Sequence, residues 1–418
     1  MRDDPSETDE KACSDDNKPE RRHSRLPYLT LALLVLMAGW FVKYYIIDQP
    51  STAHQLRVAS FDRALTLVKQ RYPGDVSEQE LFRAAMNAMM KKLDGRFSYH
   101  LTESERDQLK IQTQGNYSGI GATVGQKNGE LVILEVRDGS PAAKAGLKAK
   151  DRLLKVDGRD ITGLPLLRAV GFIRGKQGSS VELTVKRAGS GKVETLTVTR
   201  RKIELKTVSG KLDESGKIAT VAVERFGQEV SDSIREKVLS LKKKGARALL
   251  LDLRNNPGGL MKEAVQTVDM FLDSGTIIAV KKRGEKQLKK ASSGTVVPAD
   301  WPVVVLVNRW TASAGEIVAG ALKHHGRATV VGTRTVGKGE VNQVFSLPNK
   351  SALALTVAHY LAGGEIKVSG QGIEPDITAG TLPEKMDMPP EKRQQMLKKA
   401  RKEQMQAALK VLREKLND

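Results

Sequence analysis

The chain has 418 residues, enough for about two or three domains, and carries a formal net charge of +20. Only 4% of the residues are aromatic, so the basic surface lacks the stacking side chains typical of single-stranded nucleic-acid binding, and no nucleic-acid partner is expected. The one cysteine, Cys13, excludes an internal disulfide and a cysteine-based metal cluster.

An apolar run near the N-terminus, residues 26–47, has about the length that crosses a bilayer core of roughly 30 Å. Arg21, Arg22 and Arg25 precede this run, and the positive-inside tendency places that end in the cytoplasm. We therefore expect a cytoplasmic tail over 1–25, then a transmembrane signal anchor, with the rest of the chain across the membrane. A cleaved signal peptide is the alternative, although no A-x-A-like site follows the run.

Two amphipathic helices are expected in an N-terminal helical region over 48–112. Apolar residues recur at spacings of three and four in HQLRVASFDRALTLVKQRYPGD and SEQELFRAAMNAMMKKLDG. Pro73-Gly74 and Gly95 end the two patterns. The expected role of both helices is packing.

Residues 113–190 change to short β-rich runs separated by glycine turns: ELVILEV, DRLLKVDG and SSVELTVKR. Glycines flank the isoleucine of YSGIGATV, and such a loop can turn successive N–H groups toward an anion. Together with GSPAAKAGLKAKDRLLKVDGRDI, this run resembles a PDZ domain. The resemblance implies capture of a peptide's free carboxyl end by strand addition. The carboxylate cradle would be Tyr117, Ser118, Gly119, Ile120, Gly121 and Ala122.

Strands and helices alternate over residues 191–380, as in IATVAVERF, SDSIREKVLSLKKKG, ARALLLDLRNNPGG and LMKEAVQTVDMFLDSG. This alternation predicts an α/β core with helices packed on its sheet, where reactive groups gather at strand ends. Two strand ends are unusual. One is RNNPGG, whose adjacent glycines let backbone amides approach a ligand, and the other is NRWTASAGEIVAGAL, where Ser313 lies at the turn into a helix.

Ser313 has two interpretations at this turn, because serine is a preferred helix cap and is also a nucleophile when a base accompanies it. The histidines supply no obvious base: His324 and His325 fall at a helix end, and His359 lies in the strand-like ALALTVAHYL. The better partner is Lys338 in GTRTVGKGEVNQVF, although a lysine between glycines is often only a solvated cation.

Five stretches resemble, in order, the carboxyl-terminal processing peptidases, the tail-specific protease family: LDLRNNPGGL, VVVLVNRWTASAGEIVAGAL, VVGTRTVGKGEVNQ, SALALTVAHY and GQGIEPDI. The resemblance covers residues 61–377. It implies that Ser313 is the nucleophile and Lys338 its general base. The oxyanion hole would be formed by the amide of Ala314 and that of Gly258 or Gly259, between which spacing does not choose.

The expected chemistry requires an unusual lysine. A free lysine has a pKa of about 10.4, so burial must lower that pKa before the amine can accept a proton at neutral pH. The chain departs from the family at Asn342, where a glutamine thought to orient the lysine is common, and at Thr311 and Gly315 in the serine motif. None of these changes removes a reacting group.

The pattern of residues 381–418 predicts a basic amphipathic helix, with an apolar stripe formed by Met405, Leu409, Leu412 and Leu416. Such a stripe indicates a packing or assembly face. The expected fold is an α/β peptidase core (mixed sheet with packed helices) with an inserted PDZ domain, an N-terminal helical segment and one transmembrane helix.

The expected function is that of a serine endopeptidase anchored in the bacterial inner membrane, with its catalytic domain on the periplasmic side. It would cleave exported proteins near C-terminal tails, without metal or cofactor. An activating adaptor and a homo-oligomer are further expected partners. Two alternatives remain, a peptidase-like PDZ scaffold with little turnover and an acyl-transfer or isomerase-type enzyme. Loss of activity in Ser313→Ala would distinguish the peptidase from the scaffold.

Overall fold

The computed structural model describes residues 34–39, 52–94, 96–127, 129–205, 207–292, 295–384 and 386–417. The chain divides into two compact units, Met1–Phe82 and Arg83–Asp418. The principal helices are α1 (Thr52–Arg71), α2 (Glu78–Leu93), α3 (Glu103–Gln114), α4 (Pro141–Lys144), α5 (Leu166–Ile173), α6 (Val230–Lys243), α7 (Met261–Asp269), α8 (Ala314–His324) and α9 (Pro390–Asn417).

The predicted single transmembrane helix is wrong for the part of the chain that the structure describes, where no helix is both long and apolar enough to cross a membrane. Of the predicted span 26–47, only residues 34–39 are described, and they are helical. The rest of the span and the predicted tail 1–25 lie outside the described residues. The predicted single-pass inner-membrane localisation is wrong on the same finding.

A β-rich module occupies the position of the predicted PDZ domain. Its sheet has the order β3-β4-β5-β7-β8, with β6 beside β5. These strands enclose an apolar core that includes Ile133, Leu153 and Leu183. The chain enters and leaves the module through an antiparallel pair, β2 with β9, so the module is an insertion. The strands are β2 (Asn116–Gly119), β3 (Ala122–Lys127), β4 (Glu130–Val136), β5 (Arg152–Val156), β6 (Arg159–Asp160), β7 (Ser180–Lys186), β8 (Val193–Thr199) and β9 (Arg201–Glu204).

The α/β core contains a mixed sheet in the order β10-β11-β12-β15-β16-β20, in which only the β10–β11 pair is antiparallel. Its central strands are apolar at nearly every position because both faces are covered. Leu249 and Leu251 face one cluster, and Leu250 faces another. The strands are β10 (Val208–Leu212), β11 (Ile218–Val223), β12 (Ala248–Asp252), β15 (Val303–Val307), β16 (Thr329–Gly332) and β20 (Ile377–Thr378).

A second, antiparallel sheet lies on the far side of the main core, and the sequence patterns did not predict it as a separate layer. Strand β18 is its centre and pairs with β1, β13, β17 and β19. Helices α6, α7 and α8 contribute residues to the shared core. The strands are β1 (Tyr99–Leu101), β13 (Thr276–Lys282), β14 (Glu285–Lys290), β17 (Glu340–Ser346), β18 (Ala352–Ala362) and β19 (Ile366–Lys367).

Helix α9 packs its apolar stripe on the outer face of the mixed sheet. Leu412 is fully buried there beside Ile218, Leu250 and Val304, while the other predicted stripe residues are partly buried. Arg254 donates to the carbonyl of Arg401 at 2.8 Å and ties the helix to the end of β12. The stripe is therefore a packing face within the chain.

Candidate active site

Five strands of the mixed sheet run parallel, β11, β12, β15, β16 and β20, and residues of the candidate site follow the first four of them. Loops after β11, β12 and β15 bring together residues around 225, 256–259 and 308–313. The carboxyl edge of a parallel sheet is where binding sites of such folds lie. Side-chain bonds brace these loops: Asn308 and Asn255 pair at 3.0 Å, and Thr311 donates to the carbonyl of Leu253 at 2.8 Å.

Ser313 occupies the N-cap position of α8, with φ 53° and ψ −113°. A positive φ is uncommon for a residue with a side chain and stores strain that the surroundings must hold. Two side chains hold the backbone of Ser313 in place: its N–H donates to the Glu316 carboxylate at 2.7 Å, and its carbonyl accepts from the Tyr360 hydroxyl at 2.9 Å. Ser313 is thus a helix cap in an uncommon backbone conformation.

Glu316 is the functional residue that the sequence interpretation missed. Its carboxylate is fully buried and accepts from the N–H groups of Ser313, Gly337 and Lys338 and from the Thr335 hydroxyl. Burial raises the pKa of Glu316, and these hydrogen bonds oppose that rise. The signal was present, because a glutamate three residues after a capping serine is the spacing of a capping box.

Lys338 lies in the loop between β16 and β17, half-buried, with its Nζ 5.6 Å from the centre of the Phe97 ring. The flanking glycines permit this position, because a Cβ on Gly339 would come within 2.4 Å of the Ser369 nitrogen. Burial lowers the pKa of Lys338, although the charges of Glu340 and Glu316 oppose that effect. The direction is the one that a general base requires.

Tyr360 joins the two loops from β18. Its buried hydroxyl donates to the carbonyl oxygens of Ser313, at 2.9 Å, and of Lys338, at 2.8 Å. Burial raises the pKa of Tyr360 well above its ordinary value, so the phenol keeps its proton at neutral pH. Together with Glu316, the tyrosine holds the backbone of both candidate catalytic residues.

Asn342, the departure from the family pattern, lies on β17 directly after a register shift of the strand. Its Nδ2 donates to the carbonyl of Phe97 at 2.5 Å. Its Oδ1 is buried and has no hydrogen-bond partner among the described residues. The side chain is therefore fixed by its amide nitrogen, and its oxygen is left available as an acceptor.

The two candidate oxyanion glycines differ in their surroundings. A Cβ on Gly258 would lie 2.7 Å from Cβ of Ser313, and one on Gly259 would lie 2.1 Å from the carbonyl oxygen of Phe226. The N–H of Gly258 already donates to Oδ1 of Asn256 at 2.8 Å. In the described part of the chain the N–H of Gly259 has no acceptor, and Gly259 lines the cavity described next.

One cavity of about 410 Å³ brings most of the predicted catalytic residues together: Ser313, Ala314, Lys338, Asn342 and Gly259. The N–H of Ala314 is the first of helix α8 and has no acceptor within the helix. The histidines considered as possible bases do not line this cavity. His359 is exposed and lies 3.7 Å from Glu340, and the ring of His325 hydrogen-bonds the carbonyl of Thr276 at 2.9 Å.

The predicted PDZ cradle borders a second cavity, of about 380 Å³, which is lined by Tyr117, Gly119, Ile120 and Ala122 together with side chains of α5. Ser118 and Gly121 are not among its lining residues. Positions 116–119 are strand rather than loop, because β2 pairs with β9. Gly121 turns the chain with φ 77°, and a Cβ there would meet Cβ of Ser140 at 2.5 Å.

Comparison with known proteins matches two families to different parts of the chain. The model of peptidase family S41 matches residues 217–379, and a PDZ-domain model matches residues 118–199. A probable CtpA-like serine protease of Staphylococcus saprophyticus is 33% identical over 379 residues, covering 88% of this chain and 76% of that protein. The carboxy-terminal processing protease CtpA of Bacillus subtilis is 34% identical over 330 residues, 78% of this chain and 70% of that protein. Among solved structures, a photosystem II D1 C-terminal processing protease matches with 29% identity and a TM-score of 0.44, over 83% of this chain and 92% of that one.

The protein is therefore a serine-type peptidase that carries a PDZ domain. More narrowly, the chain belongs to peptidase family S41, alongside the CtpA carboxy-terminal processing proteases.

Proposed function

We propose that this peptidase hydrolyses proteins near unstructured C-terminal tails that its PDZ groove captures, and that Ser313 and Lys338 are its catalytic dyad. The observation that carries the proposal is their shared cavity, together with the buried Glu316 carboxylate that bonds the backbone of both residues. Two loops distant in sequence are thereby held in one arrangement, as nucleophile and base require.

Acylation begins when the neutral amine of Lys338 accepts the Oγ proton of Ser313 as Oγ attacks the scissile carbonyl carbon. The C–Oγ bond forms, and the carbonyl oxygen becomes an oxyanion. Lys338 then gives its proton to the leaving amine as the C–N bond breaks, which leaves an acyl-enzyme on Ser313. The lowered pKa of Lys338 makes this cycle accessible because the amine must be neutral before each attack.

The amides of Ala314 and Gly259 are the proposed oxyanion donors. Both residues line the cavity, and Gly258 is the weaker choice because its N–H is already bonded to Asn256. Loss of one such donor costs about 2.7–4 kcal/mol of transition-state stabilisation in other acyl-transfer enzymes.

Deacylation uses the same groups with water as the nucleophile. Lys338 accepts a proton from the water as its oxygen attacks the acyl carbon, and then returns that proton to Oγ as the C–Oγ bond breaks. The Oδ1 of Asn342, buried in the same cavity, is an acceptor suited to orienting the Lys338 ammonium between these steps.

Capture of the tail rests on the second cavity. An extended peptide can pair with β3 and place an apolar side chain against Leu166, Val170 and Ile173. The N–H groups near Gly119 and Gly121 are the proposed cradle for the terminal carboxylate. An activating adaptor and a homo-oligomer stay predictions. Since the α9 stripe is used within the chain, an oligomer would need another surface.

The proposal is tested by incubating the purified protein with an unfolded protein that carries an apolar C-terminal tail and measuring fragment masses. We expect cleavage by the wild type and by Lys367→Ala, an exposed lysine on β19 that serves as control. Ser313→Ala and Lys338→Ala should each lower the cleavage rate by at least about a thousandfold. Undiminished cleavage by either variant would remove that residue from the dyad. Absence of cleavage by the wild type would favour the scaffold alternative.

A further inference from the structure

The catalytic cavity contains a second cationic side chain that the proposed chemistry does not use. Arg225 follows β11, the strand beside the one that leads into the 256–259 loop, and lines the same cavity as Ser313 and Lys338. The neighbouring backbone is tied to the candidate oxyanion segment, because Phe226 donates to the carbonyl of Gly258 at 3.0 Å and accepts from Leu260 at 2.7 Å.

Arg225 is half-buried, yet its guanidinium makes no ion pair or hydrogen bond within the described ranges of the chain. Other arginines near this sheet are satisfied. Arg254 pairs with Asp252 at 2.6 Å, and Arg327 donates to three backbone carbonyls, those of Phe271, Pro298 and Trp301. A charge withdrawn from water without a partner is costly, and here burial lowers the pKa of Arg225.

The cavity itself does not supply the missing partner. Its one described carboxylate, Glu340, accepts the Ser369 hydroxyl through Oε1, and its buried Oε2 has no hydrogen-bond partner among the described residues. No ion pair joins Glu340 to Arg225 in the described part of the chain, and burial is the only cause that shifts the pKa of Arg225. A guanidinium offers a planar fork of donors that matches a carboxylate with two parallel hydrogen bonds. The guanidinium without a partner therefore belongs to a residue that lines the space the substrate would enter.

We propose that Arg225 is a specificity residue that binds a carboxylate of the substrate inside the catalytic cavity. This inference rests on the proposed function, since the substrate must lie at Ser313. The carboxylate has two sources, an Asp or Glu side chain close to the scissile bond or the free C-terminus of a short tail. Both present the same chemistry to the guanidinium.

The test separates these sources by binding and by cleavage. A set of labelled peptides of one unstructured sequence carries Glu or Gln on either side of the scissile bond, each with a free or an amidated C-terminus. Binding is measured by fluorescence anisotropy on the full chain bearing Ser313→Ala, alone and combined with Arg225→Gln, Arg225→Lys or Arg225→Glu. Cleavage of the same peptides is followed in the variants that retain Ser313. Arg283→Gln, on the exposed turn between β13 and β14, is the matched control.

We expect the acidic member of the matching pair to bind about tenfold to a hundredfold more tightly than its neutral partner, as a charge-assisted bidentate pair implies. Arg225→Gln should bring the ratio of acidic to neutral peptide affinity near one, and Arg225→Lys should keep part of the preference for the acidic peptide. Arg225→Glu should instead favour peptides in which Lys replaces Glu. Arg283→Gln should leave the ratio unchanged. A Glu-to-Gln effect assigns the side chain as the source, and an acid-to-amide effect that depends on Arg225 assigns the terminus.

Ratios that do not respond to any Arg225 substitution would overturn the proposal, as would an equal response in Arg283→Gln. An acid-to-amide effect that survives Arg225→Gln belongs to the PDZ groove and excludes the terminus as the source, so that the Glu-to-Gln ratio alone then decides the proposal. Failure of the proposed function has a different signature, namely no cleavage of any peptide by the wild type, and the binding ratios still decide the role of Arg225. Thermal unfolding of each variant confirms that the chain remains folded.

Discussion

At the scale of single residues, Glu316 contacts both members of the proposed dyad without lining their shared cavity. Its carboxylate accepts from the backbone of Ser313 and Lys338 and also raises the pKa of Lys338 through its charge. It is thus a positioning residue with an electrostatic side effect. The hydrogen bonds of Glu316 hold the two loops, but its negative charge opposes the lowering of the Lys338 pKa that the proposed base requires.

Glu316→Gln should therefore have two separable consequences. Loss of charge-assisted acceptors, worth about 1.5–3 kcal/mol each, should lower kcat by about tenfold or more. As the proposed base, Lys338 would act only when neutral, so activity should rise with pH through its pKa, and removing the negative charge of Glu316 should shift this acid limb to lower pH. The pH profile of kcat/KM measures the shift, with Glu374→Gln, an exposed partner of Arg334, as control. A lower rate with an unmoved acid limb would show that Glu316 acts on geometry alone.

At the scale of elements, α3 separates the catalytic cavity from the peptide groove. Leu109 and Thr113 line the catalytic cavity, Gln108 and Ile111 line the groove, and Gln112 lines both. The helix has firm ends, since Thr102 and Glu105 form a capping box and Gly115 closes the C-terminus with φ 69°. A peptide in the proposed groove would therefore contact an element that also borders the cavity of Ser313.

A tail bound in the groove should change catalysis in trans. Adding a free apolar tail peptide to a short reporter substrate without a tail should raise the cleavage rate about fivefold or more, within the usual range of coupling energies. Val170→Asp, in the groove wall, should abolish this rise, and the same peptide with an amidated C-terminus is the matched control. A rate that only falls with added peptide would indicate competition for the catalytic cavity and no coupling through α3.

At the scale of the whole molecule, local patterns predicted the PDZ module and the α/β alternation because the residues that indicate each of them are close together in the sequence. The antiparallel sheet was missed because β18 pairs with distant partners, such as Tyr99 with Ala354, and no local period encodes that register. Glu316 was missed because a glutamate in the first turn of a helix usually faces solvent. The proposed preference for Gly259 over Gly258 depends on the position of the Asn256 side chain, which residue spacing does not contain.

The C-terminal helix shows how one pattern allows two assemblies. An apolar stripe predicts packing, but it does not say whether the partner surface belongs to the same chain. The apolar outer face of the mixed sheet would be exposed to solvent without α9, so the stripe covers a surface of its own chain.

Leu412→Ala should therefore destabilise the monomer itself. Truncating a fully buried leucine costs about 2–5 kcal/mol, so the midpoint of thermal unfolding should fall by several degrees, independently of protein concentration. Lys410→Ala, an exposed residue of the same helix, should leave the midpoint nearly unchanged. Sedimentation velocity on the same samples reports the oligomeric state. A Leu412→Ala protein with an unaltered midpoint but a smaller assembly would instead place the stripe between subunits, because only a residue outside the monomer core can be truncated without loss of unfolding free energy.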